Sequence, residues 1–355
     1  MDKKIYIRSA SAISPQKTFG ENSLPADAAQ YIGDKLVCIE PDYSKLFDPK
    51  LIRRMSRIIR MGAATAINCL QQASIDMPDA ILTGTAYGCL EDTSVFLTKL
   101  VENNEEMLTP TAFIQSTHNT VGAQIALILK CHHYNNTFVH RGFSFESALL
   151  DAMLLLQEKN NRQVLVGAVD EITNNSHSIL SRFGLYKRQP TSNLNLLQSL
   201  SKGTMAGEGA SFFSLTNQAS DKNLAQLVAM ATFYKPHDRE EVEKNINYFL
   251  EDLSTNINDI DLVILGWNGD TKDDSIYEQL SHSIFKTSNT AGFKHLCGEY
   301  PTATGFALWL SATIINENKI PHAVRKTEHK APLKKVLIYN HHQNTHHSLF
   351  LVSAC

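Results

Sequence analysis

Four histidines crowd one short stretch, His341, His342, His346 and His347, and imidazole is a common ligand for zinc and similar ions. Zinc chemistry also asks for Cys or carboxylate donors at short spacing. None stands beside them, so no metal site is expected, and the stretch reads as a hairpin loop. The six cysteines, Cys38, Cys69, Cys89, Cys131, Cys297 and Cys355, are scattered without a C-x-x-C pair. They read as reduced core or surface thiols rather than a disulfide frame or zinc site. Arg53, Arg57 and Arg60 recur at intervals of four and three, which makes one helix face basic. Such a face is either solvated or a docking surface for an acidic partner. His118 and Asn119 precede a helix with small residues on one side and are candidates to line a pocket.

The elements that must hold these residues alternate between strand and helix. Asp79 to Thr85, continuing to Phe96, reads as a buried strand, a glycine turn and a capped helix start. Asp261 to Trp267, continuing to Tyr277, reads the same way. A second pair, Thr120 to Leu127 and Ala303 to Trp309, lies at nearly the same offset, and together the two pairs predict a duplicated α/β unit. Further strands are expected at Lys4 to Ile7, Gln163 to Ala168, Leu224 to Thr232, Lys335 to Tyr339 and Ser348 to Val352. The polar stretch Asn217 to Asn223 marks the boundary, giving halves at 1–218 and 219–355.

Composition bounds the class. The chain has 355 residues, 43% hydrophobic and 19% charged, with a net charge of −3. That balance suits a globular protein with a sizeable core and gives no electrostatic footprint for nucleic acid. The amino-terminal residues carry no signal core and no apolar run is long enough to span a membrane, so a soluble, cytoplasmic protein is expected.

Four segments carry a resemblance. Gly207-Glu208-Gly209-Ala210, followed by Ser211-Phe212-Phe213-Ser214-Leu215, resembles the GEGAG turn and following strand of the β-ketoacyl synthases. Lys294-His295-Leu296-Cys297-Gly298-Glu299, running on to Gly305, matches the register of that family's K-x-x-x-G-H…G segment. His140 to Ala152 sits where the family carries its nucleophile elbow, anchored by Ala148-Leu149 and by Val166 to Glu171. Arg54-Met55-Ser56-Arg57, with Gly62, Ala63 and Ala64 after it, resembles an early R-M-x-R helix. The motifs stand in the family's order over nearly the whole chain.

The resemblance implies an α/β, thiolase-like fold, a duplicated α/β unit in five layers (αβαβα). It also implies slots for one catalytic Cys and two catalytic His, which here hold Gly142, Trp267 and Glu299. Glycine supplies no nucleophile and indole no base, and a carboxylate opposes a developing enolate unless it is held protonated. Condensation by the family mechanism is therefore not expected. Lys294 matches the family lysine beside the decarboxylation site and is expected to pair with Glu299 or another carboxylate. With His118, Phe143 and Thr271 it is expected to line the site and acyl tunnel. The alternative is an enzyme, an acyltransferase, a hydrolase or a 3-oxoacyl carrier-protein synthase variant, using Ser144 or another displaced nucleophile; the structural reading of Ser144 is a helix N-cap. The loop Asn340 to Asn344 has none of the glycines with which the family gates its tunnel.

Family members without the nucleophile are known as chain length factors, and they pair with an intact ketosynthase in polyketide and aryl polyene pathways. The chain resembles that type, nearer to the short proteins of aryl polyene or flexirubin clusters than to actinomycete factors. The implied partners are an intact ketosynthase or a second copy of the chain, and an acyl carrier protein. No cofactor, nucleic acid or membrane insertion is implied. Thr137-Phe138-Val139 is expected to pair across a dimer two-fold, beside a helix from Phe145 to Leu156 that is apolar on nearly every face.

Overall fold

The computed structural model describes residues 3–21, 24–158, 162–325 and 332–355. The first half contributes strands β1 (Ile5–Ile13), β2 (Ala80–Gly84), β3 (Tyr134–Phe138), β4 (Gln163–Asp170) and β5 (Gly209–Thr216). The second contributes β6 (Ala225–Tyr234), β7 (Leu262–Leu265), β8 (Thr290–Gly292), β9 (Lys335–His342) and β10 (His346–Ser353). They form one mixed ten-stranded sheet in the order β8-β7-β9-β10-β6-β1-β5-β4-β2-β3. Each half repeats one internal order, third, second, fourth, fifth, first. In each, the fifth strand runs antiparallel to both neighbours and the second parallel to both of its own.

The halves join where Ile5 to Ile7 of β1 pair with Ala225 to Leu227 of β6. Around that seam the sheet folds over two central helices, α4 (Ser144–Glu158) and α8 (Thr304–Glu317). Ala148, Leu149, Phe306, Trp309 and Leu310 on these helices share one core with the inner faces of both halves. The outer faces are covered by α1 (Arg57–Ala73) and α3 (Thr120–Leu129) on the first half. On the second half the cover is α6 (Arg239–Asp252) and α7 (Ser275–His282). Two further helices, α2 (Leu90–Glu102) and α5 (Asn174–Arg182), flank the first half's loops. The result is five layers, because every strand buried on both faces needs a helix on each side. No helix among the described residues is long and apolar enough to cross a membrane.

Three expectations are corrected. The 79–96 and 261–277 segments are true counterparts, since β2 and β7 are the second strands of their halves. The second pair is not: α3 precedes the third strand of its half, whereas α8 follows its own. The counterpart of α8 is α4, and the small residues shared by α3 and α8 reflect close packing rather than repetition. Helix α4 is not buried on every side, because Leu150 and Leu154 are exposed. The histidine stretch is not a loop: His341 and His342 end β9 and pair across the hairpin with His347 and His346.

Candidate functional site

The elbow between β3 and α4 is tight. Arg141 adopts a left-handed conformation, φ 52°. The Ser144 hydroxyl accepts the His140 N–H at 2.8 Å and donates to the Arg141 carbonyl at 2.8 Å. Ser144 is fully buried and its hydroxyl is spent on closing the turn. It does not bond backbone N–H groups later in the helix as an N-cap would, and it is not poised as a nucleophile. A Cβ built on Gly142 would lie 2.9 Å from the Cβ atoms of both His342 and His346. The space for a side chain at the elbow is taken by the β9–β10 hairpin, and Phe143 closes it by meeting the His346 ring edge-on at 4.7 Å. Gly142→Cys should therefore cost about 1–3 kcal/mol by overpacking and still give no condensation. Urea unfolding and a condensation assay would check this, and an equally stable variant would show that the hairpin yields.

The two glycine motifs lie against each other. A Cβ on Gly298 (φ 76°) would come within 2.4 Å of the Gly207 Cα, so the backbones touch where side chains cannot fit. The Gly207 N–H donates to the Glu299 carbonyl at 2.9 Å. Glu208 turns the other way and takes a bidentate contact from Arg57 at 2.7 and 2.5 Å, while Arg57 also meets Glu40. Arg60 lies over the Tyr43 ring at 5.6 Å. The basic face expected from Arg53, Arg57 and Arg60 is thus not presented to a partner, because two of its members hold the fold together.

Glu299 is the hub of the site. The Lys294 ammonium donates to Glu299 Oε2 at 2.7 Å and to the His341 carbonyl at 2.9 Å. The Asn268 amide donates to Oε2 at 2.9 Å, and His342 Nδ1 lies 3.0 Å from Oε1. Burial alone would raise the Glu299 pKa. The Lys294 charge and the His342 contact outweigh it and bring the carboxyl down to about 2. Glu299 is therefore ionised, and Lys294 pairs with it as expected.

Trp267 does not face this centre. Val263, Leu265 and Trp267 fall on one side of β7 and its extension, and all three join the outer core, with Trp267 edge-on to Tyr277 at 6.1 Å. Asn268, one residue on, points the opposite way and reaches Glu299. The strand's period of two carried that signal.

The remaining residues divide similarly. Lys294 is fully buried behind Glu299. His118 is exposed beside Gly88, and Thr271 is exposed on the loop after Asn268. None of Lys294, His118, Phe143 and Thr271 lines the cavity that opens over Glu299. That cavity holds about 60 Å³ and is lined by Glu299, His342, Tyr87, Tyr186, Tyr300 and the carboxylates Asp170, Glu171, Asp270 and Asp273, among others. Burial pushes Glu171 up to about 7 and raises Asp170 and Asp273. Tyr87, Leu90, Ser176 and Leu180 also line an apolar groove of about 590 Å³ between α2 and α5, so the groove adjoins the cavity.

The other hairpin imidazoles are neutral. Burial, then the neighbouring His347 and Lys294, holds His341 well below its ordinary value. Burial also lowers His346 and His347, each to about 4. Among the described residues no group of three or more His, Cys, Asp or Glu side chains is arranged to hold a metal ion.

Residues 40–240 match the model of the β-ketoacyl synthase N-terminal domain. No curated protein matches the sequence. Among solved structures, the ishigamide ketosynthase/chain length factor superposes with a TM-score of 0.80 at 14% identity, covering 100% of both chains. A β-ketoacyl synthase from Burkholderia phymatum STM815 gives 0.80 at 12% identity, covering 99% of this chain and 100% of that one. The ketosynthase ApeO in complex with its chain length factor ApeC, from Xenorhabdus doucetiae, gives 0.77 at 14% identity, with coverage of 99% and 98%. At these identities the likeness is one of fold.

Proposed function

This chain belongs to the β-ketoacyl synthase family, and we propose that within it the protein is a non-condensing subunit, a chain length factor or equivalent partner of an intact ketosynthase in polyketide, aryl polyene or fatty-acid-like biosynthesis. The observation that carries this reading is the elbow. Gly142 offers no thiol, and the room a thiol would need is filled by His342 and His346. The ionised Glu299 would repel an enolate forming beside it, and the Asn268 amide and Lys294 ammonium are already engaged by that carboxylate. Ser144 gives the acyltransferase alternative no support, since its hydroxyl is closed off by backbone.

The partner-binding half of the reading rests on the edge of the sheet. Strand β3 is the last in the order, and the apolar side chains of Leu127, Tyr134, Val139, Leu150 and Leu154 around it are exposed. An open edge flanked by apolar surface calls for a covering chain. Either an intact ketosynthase or a second copy would continue the sheet across a two-fold. Exposed Arg182, Arg188, Lys202 and Lys272 lie on or next to the segments that ring the cavity, which suits an acidic carrier protein. A cytoplasmic location goes with such a role.

Two measurements test this. Incubation with acyl and malonyl carrier-protein thioesters should leave the protein without a covalent acyl adduct by mass spectrometry, and an adduct on Ser144 would sink the reading. Light scattering of the chain alone should show dimers or larger species, and co-expression with an intact synthase should give a soluble heterodimer. A well-behaved monomer at micromolar concentration, with no complex on co-expression, would remove the partner role.

A further inference from the structure

The hairpin brings back into the site what its catalytic slots have lost. His342 lies more than forty positions from Glu299 in sequence, yet its Nδ1 is 3.0 Å from Oε1, and both residues line the cavity. Glu299 is ionised and can only accept, so the proton of the contact sits on Nδ1 of His342. In the neutral ring the lone pair is then on Nε2. Glu299 is in turn fixed through its other oxygen by Lys294 and Asn268, so the carboxylate cannot swing away from the ring. An imidazole held in one tautomer by a fixed carboxylate is the arrangement that makes histidine a general base. The cavity has room for a few water molecules. The apolar groove between α2 and α5 gives it an approach for an acyl chain or a thioester arm.

We propose that His342, oriented by Glu299, activates water for hydrolysis of acyl thioesters that reach this cavity, releasing stalled or unwanted chains from the assembly the protein serves. The thioester class rests on the family reading above. In the step, His342 Nε2 takes a proton from water as the water oxygen attacks the thioester carbonyl carbon. The tetrahedral adduct collapses with cleavage of the C–S bond, and the imidazolium returns its proton to the departing sulfur. Water and thioester give carboxylic acid and thiol, with no change of oxidation state and no covalent enzyme intermediate. The Tyr186 phenol, kept protonated by burial, is a hydrogen-bond donor in the same lining for the carbonyl oxygen. Malonyl groups are disfavoured, since their free carboxylate would enter beside the ionised Glu299.

The test follows thiol release from hexanoyl-N-acetylcysteamine by the purified full chain, with the acid analysed for label from ¹⁸O water. Release about a hundredfold above buffer is expected, with one labelled oxygen in the acid. His342→Gln and His342→Ala, checked for parental melting, should bring release to the buffer rate. Glu299 acts through His342 as a positioning residue. Glu299→Gln should therefore lower the rate and also move the pH profile, in which Lys294, Glu146, His346 and the four lining carboxylates are the other groups around the ring. Release at the buffer rate in the parent, or undiminished release in both His342 variants, overturns the proposal and leaves the non-condensing reading standing. An acyl adduct on the protein would overturn direct attack by water and the non-condensing reading together.

Discussion

Lys294→Met should destabilise the protein by about 3–5 kcal/mol at neutral pH, the cost of leaving a buried charge without its counter-ion. Lys294 is fully buried and its ammonium pairs with the largely buried Glu299 carboxylate at 2.7 Å. Methionine matches the length of the stem and removes only the charge and the donors. The variant also strips the His341 carbonyl, beside the hairpin's turn, of this donor. Without Lys294 the burial of Glu299 is opposed only by Asn268 and His342, so its pKa should rise and the unfolding free energy should become pH-dependent near neutrality. The double variant Lys294→Met, Glu299→Gln should recover most of the loss, because a neutral amide needs no counter-ion. Urea unfolding of parent, single and double variants gives the comparison. A single variant within about 1 kcal/mol of the parent would mean that the Glu299 charge is held by solvent and its other partners rather than by Lys294.

Acidification should expose the neutral histidine core. His347 is almost fully buried, its Nδ1 lies 2.9 Å from the Tyr339 hydroxyl, and burial lowers its pKa to about 4 from an ordinary 6.5. A depressed folded-state value means stability that is fully present above pH 6.5 and lost as pH falls toward 4, about 3 kcal/mol over that window. Glu299, depressed to about 2, extends the loss below its ordinary 4.5. Glu171 and Asp274 work in the opposite sense: burial raises each to about 7, so acid relieves a strain that they impose at neutral pH. The clean quantity is therefore the difference between the parent and His347→Gln, which keeps a hydrogen-bonding group but cannot titrate. That difference should shrink by about 3 kcal/mol in favour of the variant between pH 7 and pH 4. A difference constant across the range would show that the ring is already charged or solvated.

Much of this protein was written in local residue choices. Gly207 and Gly298 had to be glycine because two backbones meet there, and Gly298 also needs a positive φ. Constraints of that kind leave a readable mark, so the fold could be recognised. Buried strands such as β4 and β9 were legible as apolar runs for the same reason, since each residue reports its own surroundings. The alternation of Val263, Leu265 and Trp267 would have turned the indole into the core and put Asn268 forward.

What tertiary structure alone decided was which side chains share a space. Arg57, read as part of a docking face, is held by Glu208 from the far side of its half. Helix α8 proved to be the counterpart of α4 rather than α3, a matter of strand order that similarity of small residues does not encode. The four histidines read as a hairpin loop. Strand pairing instead sent His341 and His347 inward as neutral rings, and put His342 on Glu299 and His346 over Gly142. Those contacts depend on register between segments hundreds of residues apart in places, where a shift of one position turns a side chain to the opposite face. Local sequence determines what each segment can be, and only the packing of segments against one another determines what meets in the cavity.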